Sequence, residues 1–236
     1  MARHSRWAQI KRQKGATDVK RGALFTKLAN AITAAARSGG DPQFNFKLRL
    51  AIEAAKNANM PKDNVERAIK RGAGEGKEAI EQVTYEGHGP AGSTFIVEAV
   101  TDNSNRTLQS IRNIFTKNNG RMGEVGSVAW SFQSKGQILV EKQKGLEDLF
   151  LELIDQGVED VKESEEGLEI YTKPMDLEKT KKFIESKGIK ILSSELIMRP
   201  QQSVELSEAD SNKVRTLIDA LEDDDDVVSV HSNVNI

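Results

Sequence analysis

The stretch from Tyr85 to Phe132 narrows the possible folds more than any other. A Gly/Pro turn at Gly87, Gly89, Pro90 and Gly92 leads into a β-rich run, Thr94 to Val100, which Asp102 and Asn103 stop. Leu108, Ile111 and Phe115 then recur at helical spacing until Asn118, Asn119 and Gly120 close the helix. Ser127 to Phe132 reads as a second β-run. A strand-helix-strand unit must bury one helix face on a sheet, so the chain is committed to mixed layers of helix and sheet.

The downstream chain repeats this logic. A strand is expected at Gln137 to Glu141, a helix carrying Leu146, Leu149, Phe150, Leu153 and Ile154, and strands at Val158 to Lys162 and Gly167 to Thr172. A helix, Leu177 to Lys187, and a strand, Ile189 to Leu192, follow. The order β-α-β-β-α-β has a ferredoxin-like solution, a four-stranded antiparallel sheet with two helices on one face. The tail adds a strand within Glu195 to Leu206, a helix from Glu208 to Leu221 and a strand at Val227 to Val230; joined to the opening unit, these give the same order again. One ferredoxin-like domain, residues 81–133 plus 195–236, is therefore expected to be split by another, residues 134–194. Phe95, Trp130 and Phe132 are assigned to its core.

Upstream, residues 1–80 read as a basic helical domain. One helix begins after Thr17 and Asp18 and carries Leu24, Phe25, Leu28 and Ile32 until Ser38, Gly39 and Gly40 end it. A second carries Leu48, Ile52 and Ala55. A third opens with Pro61, keeps Asp63 near its positive end and stops at Gly72. The expected class is thus α+β: an N-terminal basic three-helix bundle followed by two ferredoxin-like α/β domains, the second inserted within the first. Gly72 to Lys77 is a linker; a phosphate loop would need four residues between its glycines and a Ser or Thr where Glu78 stands.

The net charge of −2 hides a strong asymmetry. Residues 1–80 hold 17 Lys+Arg against 7 Asp+Glu, and the remainder holds 17 against 29. A basic end beside an acidic body points to a polyanion partner for the former and to solvent, or a protein partner, for the latter. The candidate contact residues are His4, Arg6, Trp7, Lys11, Arg12, Lys14, Lys20, Arg21 and Lys27, cations with a planar ring among them. Such a set grips phosphates and stacks on bases.

Other chemistries are poorly served. There is no cysteine, so disulfides, thiol catalysis and Cys-type zinc sites are excluded. No apolar run approaches a membrane span. His4, His88 and His231 lie in separate segments without partners at ligand spacing, and no nucleophile elbow, kinase set or dinucleotide fingerprint occurs. Neither an enzyme nor a cofactor is expected, nor a small-molecule substrate. The acidic run Glu222 to Asp226 reads as a solvated turn.

Several short motifs, taken in order, resemble one family. These are His4-Ser5-Arg6-Trp7 with Ile10-Lys11, Arg21-Gly22 with Phe25-Thr26-Lys27-Leu28, Asn59-Met60-Pro61 with Arg67-Ala68-Ile69, and Arg71-Gly72. Tyr85-Glu86-Gly87, Gly89-Pro90, Asp102-Asn103, Asn105-Arg106-Thr107, Gly126-Ser127-Val128 and Phe132 continue the series. Together they resemble the YebC/PmpR family of transcriptional regulators, which includes the mitochondrial translational activator of cytochrome c oxidase subunit I. Arg3 and Asn119 depart from that pattern, each standing where the family favours Gly. The resemblance implies three domains, nucleic-acid binding and control of gene expression. It also implies a chain that starts at Met1 without a presequence, in the cytoplasm. A DNA-binding transcriptional regulator, a translation factor on ribosomal RNA assisting elongation at proline-rich stretches, and a protein-protein adaptor working through the acidic domains are the three functions to separate.

Overall fold

The computed structural model describes residues 18–75, 80–142, 152–164 and 167–235, with side chains from residue 21 onward. Three helices form the head: α1 (Asp18–Ala36), α2 (Phe46–Asn57) and α3 (Lys62–Gly72). Leu24, Leu28 and Ile32 of α1, Leu48 and Ala51 of α2, and Val65 and Ala68 of α3 supply their shared core. Asn45 fixes the entry to α2: its Oδ1 accepts from the Leu48 amide at 3.0 Å, and its Nδ2 donates to the Ala35 and Gly39 carbonyls. Gly72 lets α3 reach α1, since a Cβ there would run into the Thr33 carbonyl oxygen.

Two four-stranded antiparallel sheets follow. The outer sheet contains β1 (Glu81–His88), β2 (Thr94–Thr101), β3 (Arg121–Met122) and, far along the chain, β8 (Val227–Ser232), in the order β3-β1-β2-β8. The helices α4 (Ser104–Lys117) and α6 (Glu208–Glu222) cover one face. Phe95, Val97 and Ala99 of β2 meet Ile111 and Phe115 of α4 and Leu217 and Leu221 of α6. The Phe95 and Phe115 rings pack edge to face, 5.8 Å apart. The inner sheet contains β4 (Phe132–Glu141), β5 (Val158–Glu163), β6 (Gly167–Thr172) and β7 (Ile191–Pro200), in the order β5-β6-β4-β7, with α5 (Leu177–Ser186) on its core side.

The α+β class and the paired antiparallel sheets agree with the sequence reading. The inner sheet also has the wiring of a ferredoxin-like fold. The outer sheet is built differently, and three expectations change. It opens with a hairpin, because Glu81–His88 forms a full strand paired with β2 from Glu81↔Thr101 to His88↔Thr94. The strand expected at Ser127 to Phe132 is instead a short 3₁₀ turn, Ala129–Ser131, running into β4. The strands expected at Ile189 to Leu192 and within Glu195 to Leu206 are one strand, β7, which pairs with β4 from Phe132↔Pro200 onward and belongs to the inner sheet. Pro200 stands at the end of an edge strand, where its missing N–H costs no ladder bond.

The second face of β2 is covered as well. Val100 packs with Ala31 of α1, Ile80 and Val228, and Ile96 packs with Val128, Phe132 and Met198. Alternation along one strand therefore sends Phe95, Val97 and Ala99 into the helix-covered core, while Ile96 and Val100 fasten the sheet to the inner body and the head. Asn119, where the family favours Gly, has φ 58°, a left-handed conformation that glycine adopts most readily and asparagine tolerates.

Candidate nucleic-acid interface

Of the interface expected from the sequence, only the residues from Lys20 onward fall among the described residues. His4, Arg6, Trp7, Lys11, Arg12 and Lys14 lie outside the described residues. Lys20 falls within α1, and only its backbone is described. Arg21 is exposed at the start of the same helix.

Lys27 is a correction, for it does not face solvent. It is 9% exposed, and its Nζ donates to the carbonyl oxygens of Asp224 at 2.8 Å and Val227 at 3.1 Å. One turn on, Asn30 Nδ2 donates to the Asp225 carbonyl at 3.0 Å. Burial holds the Lys27 ammonium below its ordinary pKa, against the pull of Glu222, Asp224, Asp225 and Asp223. A helix of the head is thus clipped to the turn before β8, and this lysine is not available to a polyanion.

The acidic run is corrected by the same contacts. Asp226 accepts hydrogen bonds from Thr107 at 2.6 Å and Thr101 at 3.2 Å, and it pairs with Arg106 at 3.1 Å. Asp224 accepts from Ser110 at 2.5 Å. These carboxylates anchor α4 and the end of β2 to the turn, and the backbone of the turn receives the head. The sequence alone reads this run as a solvated turn, and only the tertiary fold reveals its partners.

The cations that remain open lie chiefly on α3. Val65 and Ala68 turn inward while Lys62, Arg67 and Lys70 stay exposed, with Asp63 and Glu66 between them. The Lys62–Glu66 pair at 3.3 Å lies on the surface and is weak by nature. Arg67 bonds Asn64, one turn away on its own helix. Lys56, near the end of α2, is exposed, and Ala58 to Pro61 link that helix to α3, with Asn59 at φ 58°. Not every head cation is open: Arg49 pairs with Glu178 of α5 at 2.7 Å, and Arg37 donates to the Ile80 carbonyl. Among the described residues, no carboxylate of the two sheets pairs with Lys56, Lys62, Arg67 or Lys70.

One feature of the body escaped sequence reasoning. Glu86 is 6% exposed and forms no ion pair with a Lys or Arg among the described residues; its carboxylate accepts the amides of Gly126 at 2.6 Å, Val128 at 2.5 Å and Ala129 at 2.7 Å. Burial alone would raise its pKa. The three amide bonds and nearby His88 outweigh that effect and hold the carboxyl below the usual glutamate value. The loop held in this way displays Trp130, 75% exposed, so the assignment of Trp130 to the core is overturned, whereas Phe95 and Phe132 are buried as expected. Val125, 94% exposed between Gly123 and Gly126, was the available hint: a lone apolar residue in a glycine-rich loop.

No described helix is long and apolar enough to cross a membrane. Comparison with known proteins gives a consistent result. Two family models match, the TACO1/YebC protein N-terminal domain over residues 5–75 and the TACO1/YebC second and third domain over residues 80–234. A protein of Bacillus licheniformis named "Probable transcriptional regulatory protein" is 49% identical over 241 aligned positions, covering 100% of both chains. One of the same name from Syntrophus aciditrophicus is 46% identical, covering 100% of this chain and 96% of the relative. The crystal structure of a conserved hypothetical protein from Aquifex aeolicus superposes with a TM-score of 0.87 at 44% identity, covering 98% of this chain and 97% of that one. On these matches, which run through the head and both sheets alike, the chain belongs to the TACO1/YebC family.

Proposed function

We propose that this protein regulates gene expression by docking its cationic head on the sugar-phosphate backbone of a nucleic acid, with DNA as the first target. The observation that carries the reading is the row Lys62, Arg67 and Lys70 on the exposed side of α3, which no body carboxylate neutralises among the described residues. The relatives named transcriptional regulators support the same direction. Arg21 and the cations at Arg6, Lys11, Arg12 and Lys14 extend the basic set along the chain. The acidic body stays clear of the polyanion by repulsion, which orients the docking. In this reading the protein carries no catalytic group and needs no cofactor, and it works in the cytoplasm.

We put DNA first because the relatives are named transcriptional regulatory proteins. Ribosomal RNA is the competing target, since phosphate gripping alone does not distinguish the two polymers.

The test compares binding to promoter DNA with co-sedimentation on ribosomes at matched ionic strength. Affinity for DNA should fall steeply with salt. Joint replacement of Lys11, Arg12, Lys14 and Arg21 by Ala should remove binding while leaving the thermal transition in place. Pelleting with ribosomes and no preference for DNA would move the target to RNA, and salt-independent association with a protein would discard the nucleic-acid reading.

A further inference from the structure

The loop from Arg121 to Ser131 sits at the end of the outer sheet remote from the head, and the role proposed above does not use it. Its construction is unusual. Desolvating a carboxylate is costly, yet Glu86 is buried without a Lys or Arg partner among the described residues and gives its oxygens to three amides of one loop. Further bonds set the same segment. The Gly123 amide donates to the Glu86 carbonyl at 2.8 Å, the Gln201 side chain donates to the Trp130 carbonyl at 3.0 Å, and the Gln201 amide to that of Ser131 at 2.9 Å. A turn that merely reverses the chain needs no such fixing. What the bonds hold in place is an exposed indole.

The surroundings of that indole narrow its use. The Trp130 Nε1–H is already given to the Ser127 carbonyl at 3.1 Å, so the ring offers its faces and not its donor. In the register of β1 and β3, Arg121 stands opposite His88, and His88 shares its side of the strand with Glu86. The exposed Arg121 therefore leaves the sheet on the side that holds the loop. Lys117, exposed at the end of α4, precedes it by one short turn. Neither cation has a carboxylate partner among the described residues, within a body otherwise rich in acids; Glu124 is the one exposed acid of the loop.

A fixed aromatic face on the same side of the sheet as an unpaired cation suits a base that is free to leave its stack, with the cation on an adjoining phosphate. We infer that Trp130, with Arg121, forms a second nucleic-acid site that takes an unpaired nucleotide of a single strand. Duplex is excluded because its bases are closed to stacking. The inference rests on the nucleic-acid reading of the head, and it adds a strand preference that the head alone lacks.

The full chain is titrated by fluorescence anisotropy against a labelled oligouridine of about 12 nucleotides, a length within the usual range for one stacking module, and against a duplex of equal length. Trp130→Ala should weaken single-strand binding about tenfold, the loss typical of one stacked base, and leave duplex binding unchanged. Trp130→Phe should restore most of it. Because the side chain is exposed, the Ala variant should keep the wild-type circular dichroism and melting transition. A head variant, Lys62, Arg67 and Lys70 to Ala, should weaken both ligands together. If Trp130→Ala binds single strands as the wild type does while the head variant fails on both, this site is wrong and the head reading survives; the same holds if the variant loses only a protein partner. If the wild type binds neither ligand, both readings fall.

Discussion

Lys27 and Glu86 occupy opposite ends of one sheet and meet the same difficulty with opposite signs. The ammonium is buried against the carbonyl oxygens of Asp224 and Val227, where β8 begins. The carboxylate is buried against the amides of Gly126, Val128 and Ala129, beside the start of β2. In each case a charge that would be expensive to desolvate alone is satisfied by main-chain dipoles. The outcomes differ. At the Lys27 end the fixed segment is covered by the head, and at the Glu86 end it stays open and holds out Trp130. One charge closes a joint, and the other presents a surface. The contrast teaches that a buried ionic group identifies a segment whose placement is set, and that what lies outside the segment decides whether it binds.

The sharpest way to break the comparison is Glu86→Ala. Three amides would be left without their acceptor, and we expect a loss of about 3 kcal/mol in chemical denaturation, at roughly 1 kcal/mol for each. Hydrogen exchange at residues 126–129 should accelerate before the rest of the sheet. Lys27→Met comes next; it keeps the length of the side chain and leaves two carbonyls short of a donor, for an expected loss of about 2 kcal/mol. Exchange should quicken around residues 224–228 and α1 and remain slow at 126–129. Equal loosening of both ends by either variant would show that the two anchors form one cooperative unit.

A pH titration sharpens the difference in sign. The Glu86 carboxyl titrates below its ordinary value of 4.5 in the folded protein. Its contribution is complete above that value and is lost as pH falls through the folded value, so acid should free the loop in the wild type and have little further effect in Glu86→Gln. Lys27 is also depressed, below 10.5. For a lysine this means that the unfolded chain holds the proton more tightly, so between the folded value and 10.5 the group's contribution to stability grows with pH. Alkali should not open the head joint through Lys27. The smallest effect on stability is expected for joint replacement of Lys62, Arg67 and Lys70 by Ala, within about 0.5 kcal/mol, because these cations face water. The same variant should flatten the salt dependence of nucleic-acid affinity, by about one unit of slope for every phosphate that it no longer neutralises.

Legibility from sequence followed the range of the interactions. The helices of the head and the wiring of the inner sheet were readable because periodicity and turn residues are local, and the inner sheet is built from one continuous stretch. The strand Glu81–His88 is not evident although Val83, Tyr85 and Gly87 alternate toward the core, since Gln82, Thr84 and Glu86 on the other side read as the approach to a turn. Ser127 to Phe132 has the composition of a strand, but Glu86 takes the amides that a strand would have used. Trp130 was misassigned for the same reason. Lys27 looked like a solvated cation because its acceptors lie some two hundred residues further along the chain. No local pattern announces a side chain that binds a distant backbone.

The place of β8 in the outer sheet has a consequence for biosynthesis. β2 finds its second neighbour only in Val227–Ser232, and α6 supplies half of the hydrophobic wall beneath the same sheet. While the chain is still emerging from the ribosome, the contiguous inner body can close by itself, whereas the hairpin β1–β2 must wait with an open edge and a bare apolar face. A segment made only after the whole inner body is thus the one that completes the first-made part of the sheet and seats the head upon it.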